Sequence, residues 1–190
     1  MKIGGRQPDR HPRNGELQDE QKKADTLLRS LAAASFRAWD ADEPGFYDLY
    51  SISNNSRQAQ TKSLAAQALA VRGLLATHRH VAPGGDTSPF LEVAERTLRW
   101  LDRERWDAGA RAYTEKADKA GAPVKVPAFG GAATLGALRD MALTTRDGRY
   151  LTRYTQCLES LAERGLVRAP ADRVGAGLAL EVAREGDGSK

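Results

Sequence analysis

Cysteine is all but missing from this 190-residue chain. Cys157 stands alone, so no intrachain disulfide and no Cys-rich zinc site can form, and a buried small apolar residue is the role expected of it. Histidine is scarce too: His11, His78 and His80 are the only three. His78 and His80 sit two apart and would point in different directions on a helix, unlike the i, i+4 pair of a zinc helix. Cationic support to a helix C-terminus is the role expected of them. No metal ligand set and no cofactor motif is read from the chain. Also missing is any run of about 20 apolar residues able to span a bilayer, so no membrane insertion is expected. The first residues lack an apolar h-region, and a cytoplasmic location follows if Met1 is native.

Charge of one sign is not concentrated anywhere. The 29 basic and 25 acidic residues leave +4, mixed along the chain, and aromatics make up only 6%. A phosphate-tracking surface needs clustered Lys and Arg with stacking rings between them, so nucleic acid is not an expected partner. The Gly130-Gly131 and Gly175-Ala176-Gly177 runs lack the lysine or third glycine of phosphate-binding loops, and close packing at a helix start is expected instead. Nothing in the pattern sets a serine beside a histidine and an aspartate.

Apolar residues make up 41%, enough for one folded unit. Residues 1–21, rich in Gly, Pro, Arg, Asn and Asp with almost no apolar spacing, are expected to form a disordered tail that contributes no core. The folded domain is expected over residues 22–185, with a second short tail over 186–190.

Within that domain the spacing predicts an all-α fold. A first helix from Lys23 places Leu27, Leu28, Leu31, Ala34 and Ala38 on one face, and a second over residues 56–78 aligns Leu64, Ala68, Val71 and Leu75. A third carries Leu91, Ala94, Leu98 and Leu101 behind Pro89, a residue suited to the first helical position. A fourth covers residues 130–145. The Asp147-Gly148 turn releases a fifth with Tyr150, Tyr154, Leu158 and Leu161, and Gly165 is its expected C-terminal cap. Val174, Ala176, Leu178, Leu180 and Val182 alternate with period two, a pattern that fits a short strand as well as a helix.

The chain also matches itself at a shift of 67 residues. Trp39-Asp40-Ala41 falls on Trp106-Asp107-Ala108, Arg29 on Arg96, Leu31 on Leu98, Ala70 on Ala137, Arg72 on Arg139, and Leu91-Glu92 on Leu158-Glu159, without a gap. Each unit holds a helix, a Trp-Asp-Ala loop, a tyrosine (Tyr47, then Tyr113 one place out of register) and a second helix. Such a unit cannot cover its own apolar face, so neighbours must stack.

The run over residues 39–48, WDADEPGFYD, resembles the helix-to-helix loop of the α/α toroids, the barrels of helical hairpins found in sugar epimerases and many glycosidases. The run over residues 145–151, TRDGRYL, resembles the turn by which their inner helices pass to the next outer helix. The resemblance covers about residues 23–168. It implies antiparallel helical hairpins; the chain supplies two and the beginning of a third, fewer than a closed ring needs. No catalytic residue is carried over, because where the toroids set His, Asp or Glu this chain has Asn54, Asn55, Arg57 and Gln58, then Pro127, Phe129 and Gly130.

Asp40, Asp42, Glu43 and Asp48 crowd the first loop. A carboxylate pair about 5–10 Å apart is what glycoside hydrolysis uses. A solvated loop turned by Asp40 is the favoured reading, and Asp107 is expected to do the same structural work. Trp39, Trp106, Tyr47 and Tyr113 fit either an aromatic floor for a carbohydrate or core anchors that define the repeat, and the anchor role is favoured. Arg72 and Arg139 are expected to pair with acids of adjacent repeats or to face a polar concave surface. These eight residues, Trp39, Asp40, Tyr47, Arg72, Trp106, Asp107, Tyr113 and Arg139, are the candidate ligand-binding set. The function expected is a non-catalytic helical-repeat module that binds a protein partner or self-associates, with a contact surface around residues 166–182. Its rivals are a toroid-type enzyme lobe acting on carbohydrate and an accessory carbohydrate-binding subunit.

Overall fold

A computed structural model describes residues 14–51, 53–58, 61–82, 85, 87–115 and 127–166. Helix α1, Asn14–Ser35, ends in a single 3-10 turn, Phe36–Ala38. Strands β1, Trp39–Asp40, and β2, Gly45–Phe46, follow, then β3, Tyr50–Ser51, and β4, Ser56–Arg57. Helices α2, Leu64–Val81, and α3, Pro89–Glu104, lead to β5, Trp106–Asp107, and β6, Ala112–Tyr113. Helices α4, Ala128–Thr145, and α5, Gly148–Glu163, complete the described order. The described residues are mostly helical, as their periodicity predicts. The three antiparallel strand pairs are a finding, because two residues per strand leave no period-two signal to read.

The helix boundaries follow local chemistry. Ser63 caps α2 by accepting the Ala66 N–H, so α2 starts at Leu64 and not near residue 56, where β4 pairs with β3 instead. Ser88 caps α3 in the same way, with Pro89 at its first position. Arg146, in the left-handed region, ends α4, and the Asp147 side chain caps α5. At the far end of α5, Gly165 takes φ +68°. The Leu166 N–H reaches the Leu161 carbonyl and the Gly165 N–H the Ala162 carbonyl, both at 2.9 Å. That is the paired closure of a Schellman cap, as expected of Gly165. Residues 174–182 lie outside the described residues.

The core is built on α2 and α4, which pack side by side, with α3 against α2 and α5 against α4. Leu64, Ala68, Val71 and Leu75 are fully buried, as their spacing predicts, and so are the cores of α3 and α5. The match of Leu91-Glu92 with Leu158-Glu159 does not carry over to position in a helix: the first pair opens α3, whereas the second lies in the second half of α5.

Helix α1 departs furthest from expectation. It begins at Asn14, inside the segment expected to lack order, because its run of Leu, Glu, Gln, Lys and Ala favours helix without any burial. Its packing on α2 is slighter than that of α4 or α3 on α2 or of α5 on α4. Leu27 and Leu31, expected in the core, are each 60% exposed, and Leu17 and Leu28 are exposed as well. The side that meets the body is polar. His80 bonds Asp25, Gln21 approaches His80, and Arg29 donates to the Val81 carbonyl at 3.2 Å. Of the described α1 side chains only Ala32 is buried. Every described side chain from residue 15 to 20 is exposed, so deleting residues 1–20 is expected to change the unfolding free energy by less than about 0.5 kcal/mol. A loss above about 2 kcal/mol in chemical denaturation would be the size of a core deletion and would contradict this.

Candidate functional site

The first hairpin, β1–β2, and the residue after it hold Trp39, Asp40 and Tyr47 of the eight candidates. Asp40 turns it: Oδ1 accepts the backbone N–H of Asp42 at 3.1 Å and that of Glu43 at 3.4 Å. Its Oδ2 accepts the Tyr47 hydroxyl and the Lys62 ammonium at 3.0 Å. Burial by itself would raise the Asp40 pKa. The bonds from Tyr47, Lys62 and the two backbone N–H groups outweigh that and hold the carboxyl well below the usual carboxylate range. The same bond to Asp40, with burial, pushes the Tyr47 phenol up. Asp40 is therefore an ionised acceptor already served by four donors, with no proton to give near neutral pH.

Beneath the hairpin lie residues that sequence reading did not single out. Lys62 is buried, donates to the Glu43 carbonyl at 2.6 Å, and sits over the rings of Tyr47 and Trp100. Gln67, fully buried on α2, clamps the strand: its Oε1 accepts the Phe46 N–H and its Nε2 donates to the Phe46 carbonyl, both at 2.6 Å. A side chain at Gly45 would meet Gln67 Oε1 at 3.1 Å and Lys62 Cδ at 3.2 Å, so the hairpin reaches α2 only because glycine stands there. Arg105 donates to the Lys62 carbonyl at 3.1 Å and lies over Trp100, while its Nη1 is buried without a hydrogen-bond partner among the described residues.

The second hairpin repeats part of this plan. Trp106 pairs with Tyr113 and Asp107 with Ala112, as Trp39 pairs with Phe46 and Asp40 with Gly45. Asp107 Oδ1 accepts the N–H of Ala110 three residues on, at 2.7 Å, as Asp40 does from Glu43. Both aspartates turn the chain, the role expected of them. Tyr113 is level with Phe46, and its hydroxyl donates to Asp102 of α3 instead of to the hairpin's own aspartate. Burial, with the Asp102 charge beside it, drives the Tyr113 phenol far above its ordinary value.

The two tryptophans are half-buried, less than core anchors would be. Each has a guanidinium over its ring: Arg96 at 4.6 Å from Trp39 and Arg153 at 4.0 Å from Trp106. Arg57 and Lys62 both lie over Tyr47. These are faces that an aromatic floor would offer to a sugar, and cations already cover them. Two more carboxylates have tasks as well. Asp48 accepts the Ser63 N–H and hydroxyl, both at 2.8 Å, and Glu115 accepts the Leu64 N–H, so both serve the N-terminus of α2. Arg72 pairs with Asp140 of α4 at 3.0 Å. Arg139 is exposed and makes no hydrogen bond or ion pair among the described residues.

The remaining candidates are also placed. His78 is buried and shares a bond of 2.8 Å with Ser88, tying the end of α2 to the cap of α3. Burial pushes the Cys157 thiol up to about 11, which leaves it unreactive near neutral pH. The arginines in the cleft between α3 and α5 are each paired, Arg99 with Glu95, Arg149 with Asp147 and Arg153 with Asp102. Gly130 and Gly131 serve close packing at a helix start, as read: a Cβ on Gly131 would meet Leu161 Cδ2 at 3.1 Å. Leu161 is fully buried and cannot retreat. Gly131→Ala is accordingly expected to destabilise by about 1–2 kcal/mol despite alanine's better helix propensity, overpacking winning over propensity. A variant that melted higher than the parent would refute this.

No protein-family model matches this chain, and no curated protein matches it.

Proposed function

We propose that this chain is a non-catalytic helical-repeat module, laid out on a 67-residue period like an open piece of an α/α toroid, that docks a protein partner or a second copy of itself. The observation that carries the reading is α1, which turns leucines to solvent and its polar side to the body. Exposed apolar stripes of this kind mark interaction surfaces.

Two further observations support it. The loop carboxylates nearest to a hydrolytic pair are committed to turns and helix caps, and Asp40 is held ionised. The repeat period is supported by the equal register of the two Trp-Asp hairpins. It is also supported by burial: Leu64, Gln67, Ala68, Val71, Leu74 and Leu75 in α2 are buried, and so are Gly131, Thr134, Leu135, Leu138, Met141 and Ala142, each 67 further on in α4.

The test is a pair of baits, the wild type and Leu27→Glu/Leu31→Glu, compared for self-association and for proteins captured from an extract of the source. The reading expects the wild type to gain an associate that the variant loses. If both baits behave alike, α1 is not a docking surface and the reading falls.

A further inference from the structure

We infer that α1 pairs antiparallel with the α1 of a second copy, through the stripe Leu17, Ala24, Leu27, Leu31 and Ala34. This inference rests on the docking reading above and names the partner. At 100° per residue the body-facing side chains Asp25, Arg29 and Ala32 gather on one side of α1, and the stripe is centred about 135° round from them. The side of the helix used by the fold and the side left over are thus distinct.

The leftover side has a regular spacing. Leu17, Ala24, Leu27, Leu31 and Ala34, with Glu20 between the first two, fall on the a and d positions of a heptad. That seam is complementary to itself in one direction only. Antiparallel, with the two-fold axis between Ala24 and Leu27, Leu17 faces Ala34 and Ala24 faces Leu27, a large side chain against a small one in each apolar layer. Glu20 then faces Leu31 and lays its stem along it with its carboxylate at the rim. Parallel, leucine would meet leucine, alanine would meet alanine, and Glu20 would face Glu20, a like-charge contact. Leu28, also exposed, flanks the antiparallel seam and adds to it.

The size of the surface sets the strength. A 22-residue helix is about 33 Å long at 1.5 Å per residue. With helix axes 8–10 Å apart, the contact strip is on the order of 300 Å² per copy, against roughly 800 Å² per partner in a standard interface. The dimer is therefore weak, reversible and concentration-dependent.

Sedimentation velocity of the full chain across the micromolar range is the first measurement. The expected result is a mass that rises from monomer to dimer with concentration. Leu27→Glu/Leu31→Glu should stay monomeric throughout with an unchanged melting temperature, since both positions are exposed. The second measurement fixes direction: Leu17→Cys and Ala34→Cys, mixed and oxidised, should give a mixed disulfide dimer, whereas Leu17→Cys alone should not link. A disulfide in Leu17→Cys alone would establish the parallel pair and overturn the inference, as would a dimer that survives Leu27→Glu/Leu31→Glu. A monomer at all concentrations whose α1 stripe instead captures another protein overturns self-association and leaves the docking reading standing. Protection of α1 from hydrogen exchange that is lost on deleting residues 167–190 would assign the stripe to the chain's own C-terminal segment, and would overturn it too. A monomer that nothing engages through α1 overturns both.

Discussion

Replacing Lys62 with methionine is expected to lower the unfolding free energy by about 3–5 kcal/mol, the scale on which a buried ion pair fails when one partner is removed. Lys62 is 7% exposed and its partner Asp40 only 12%. Methionine fills the volume of the lysine stem but leaves the Asp40 carboxylate buried beside Tyr47 without its cation, and leaves the Glu43 carbonyl without a donor. Asp40→Asn in the same background removes the stranded charge and should restore part of the loss, so the double variant should be more stable than the sum of the two single changes predicts. Acid dependence gives a second readout. The folded pKa of Asp40 lies below its ordinary 3.8, so its contribution is fully present above that value and is lost as pH falls through the folded one. Lys62→Met removes one cause of the depression, and its stability should fall less steeply on the acid side than that of the wild type. A loss of under about 1 kcal/mol near neutral pH, typical of a surface ion pair, would mean that the pair is solvated.

Gln67→Met is expected to cost about 2–4 kcal/mol. The side chains are alike in size, so little cavity forms, but the N–H and carbonyl of Phe46 both lose their partner in a buried site, at about 1–3 kcal/mol for each unsatisfied group. Gln67→Glu should cost at least as much, because it keeps an acceptor for the Phe46 N–H but loses the donor to the carbonyl and buries a carboxylate against it. Hydrogen exchange at the Phe46 amide separates this from general loosening: it should accelerate more in Gln67→Met than the amides at the centre of α4 do. Equal acceleration at both places would show that Gln67 acts only through global stability.

The start of α3 and both ends of α5 were legible because they carry their own chemistry: Pro89 in one, Asp147 and Gly165 in the other. The structural role of Asp40 and Asp107 was legible for the same reason, since an aspartate that turns the chain acts within three residues of itself. The start of α2 was not, because residues 56–63 lack a strong helix breaker and the strand pair that claims Ser56 and Arg57 is too short to leave a period. In α1 the face was legible but its burial was not: amphipathicity marks which residues belong together, whereas burial depends on what packs against them. Lys62, Gln67 and Arg105 left no trace in local pattern because their partners stand 22, 21 and 43 residues away. Trp39 and Trp106 each open a short hairpin, and the guanidiniums that cover them come from helices whose approach only packing determines.

Those covered rings have an optical consequence. The chain's three tryptophans sit at three different joints: Trp39 where the first hairpin meets α3, Trp106 where the second meets α5, and Trp100 under Lys62 and Arg105. None stands on α2 or α4. Tryptophan emission from this protein is therefore weighted toward its seams: light collected during unfolding reports first when hairpin and helix part, while the helices α2 and α4, which carry no tryptophan of their own, are followed by the amide absorption of the backbone.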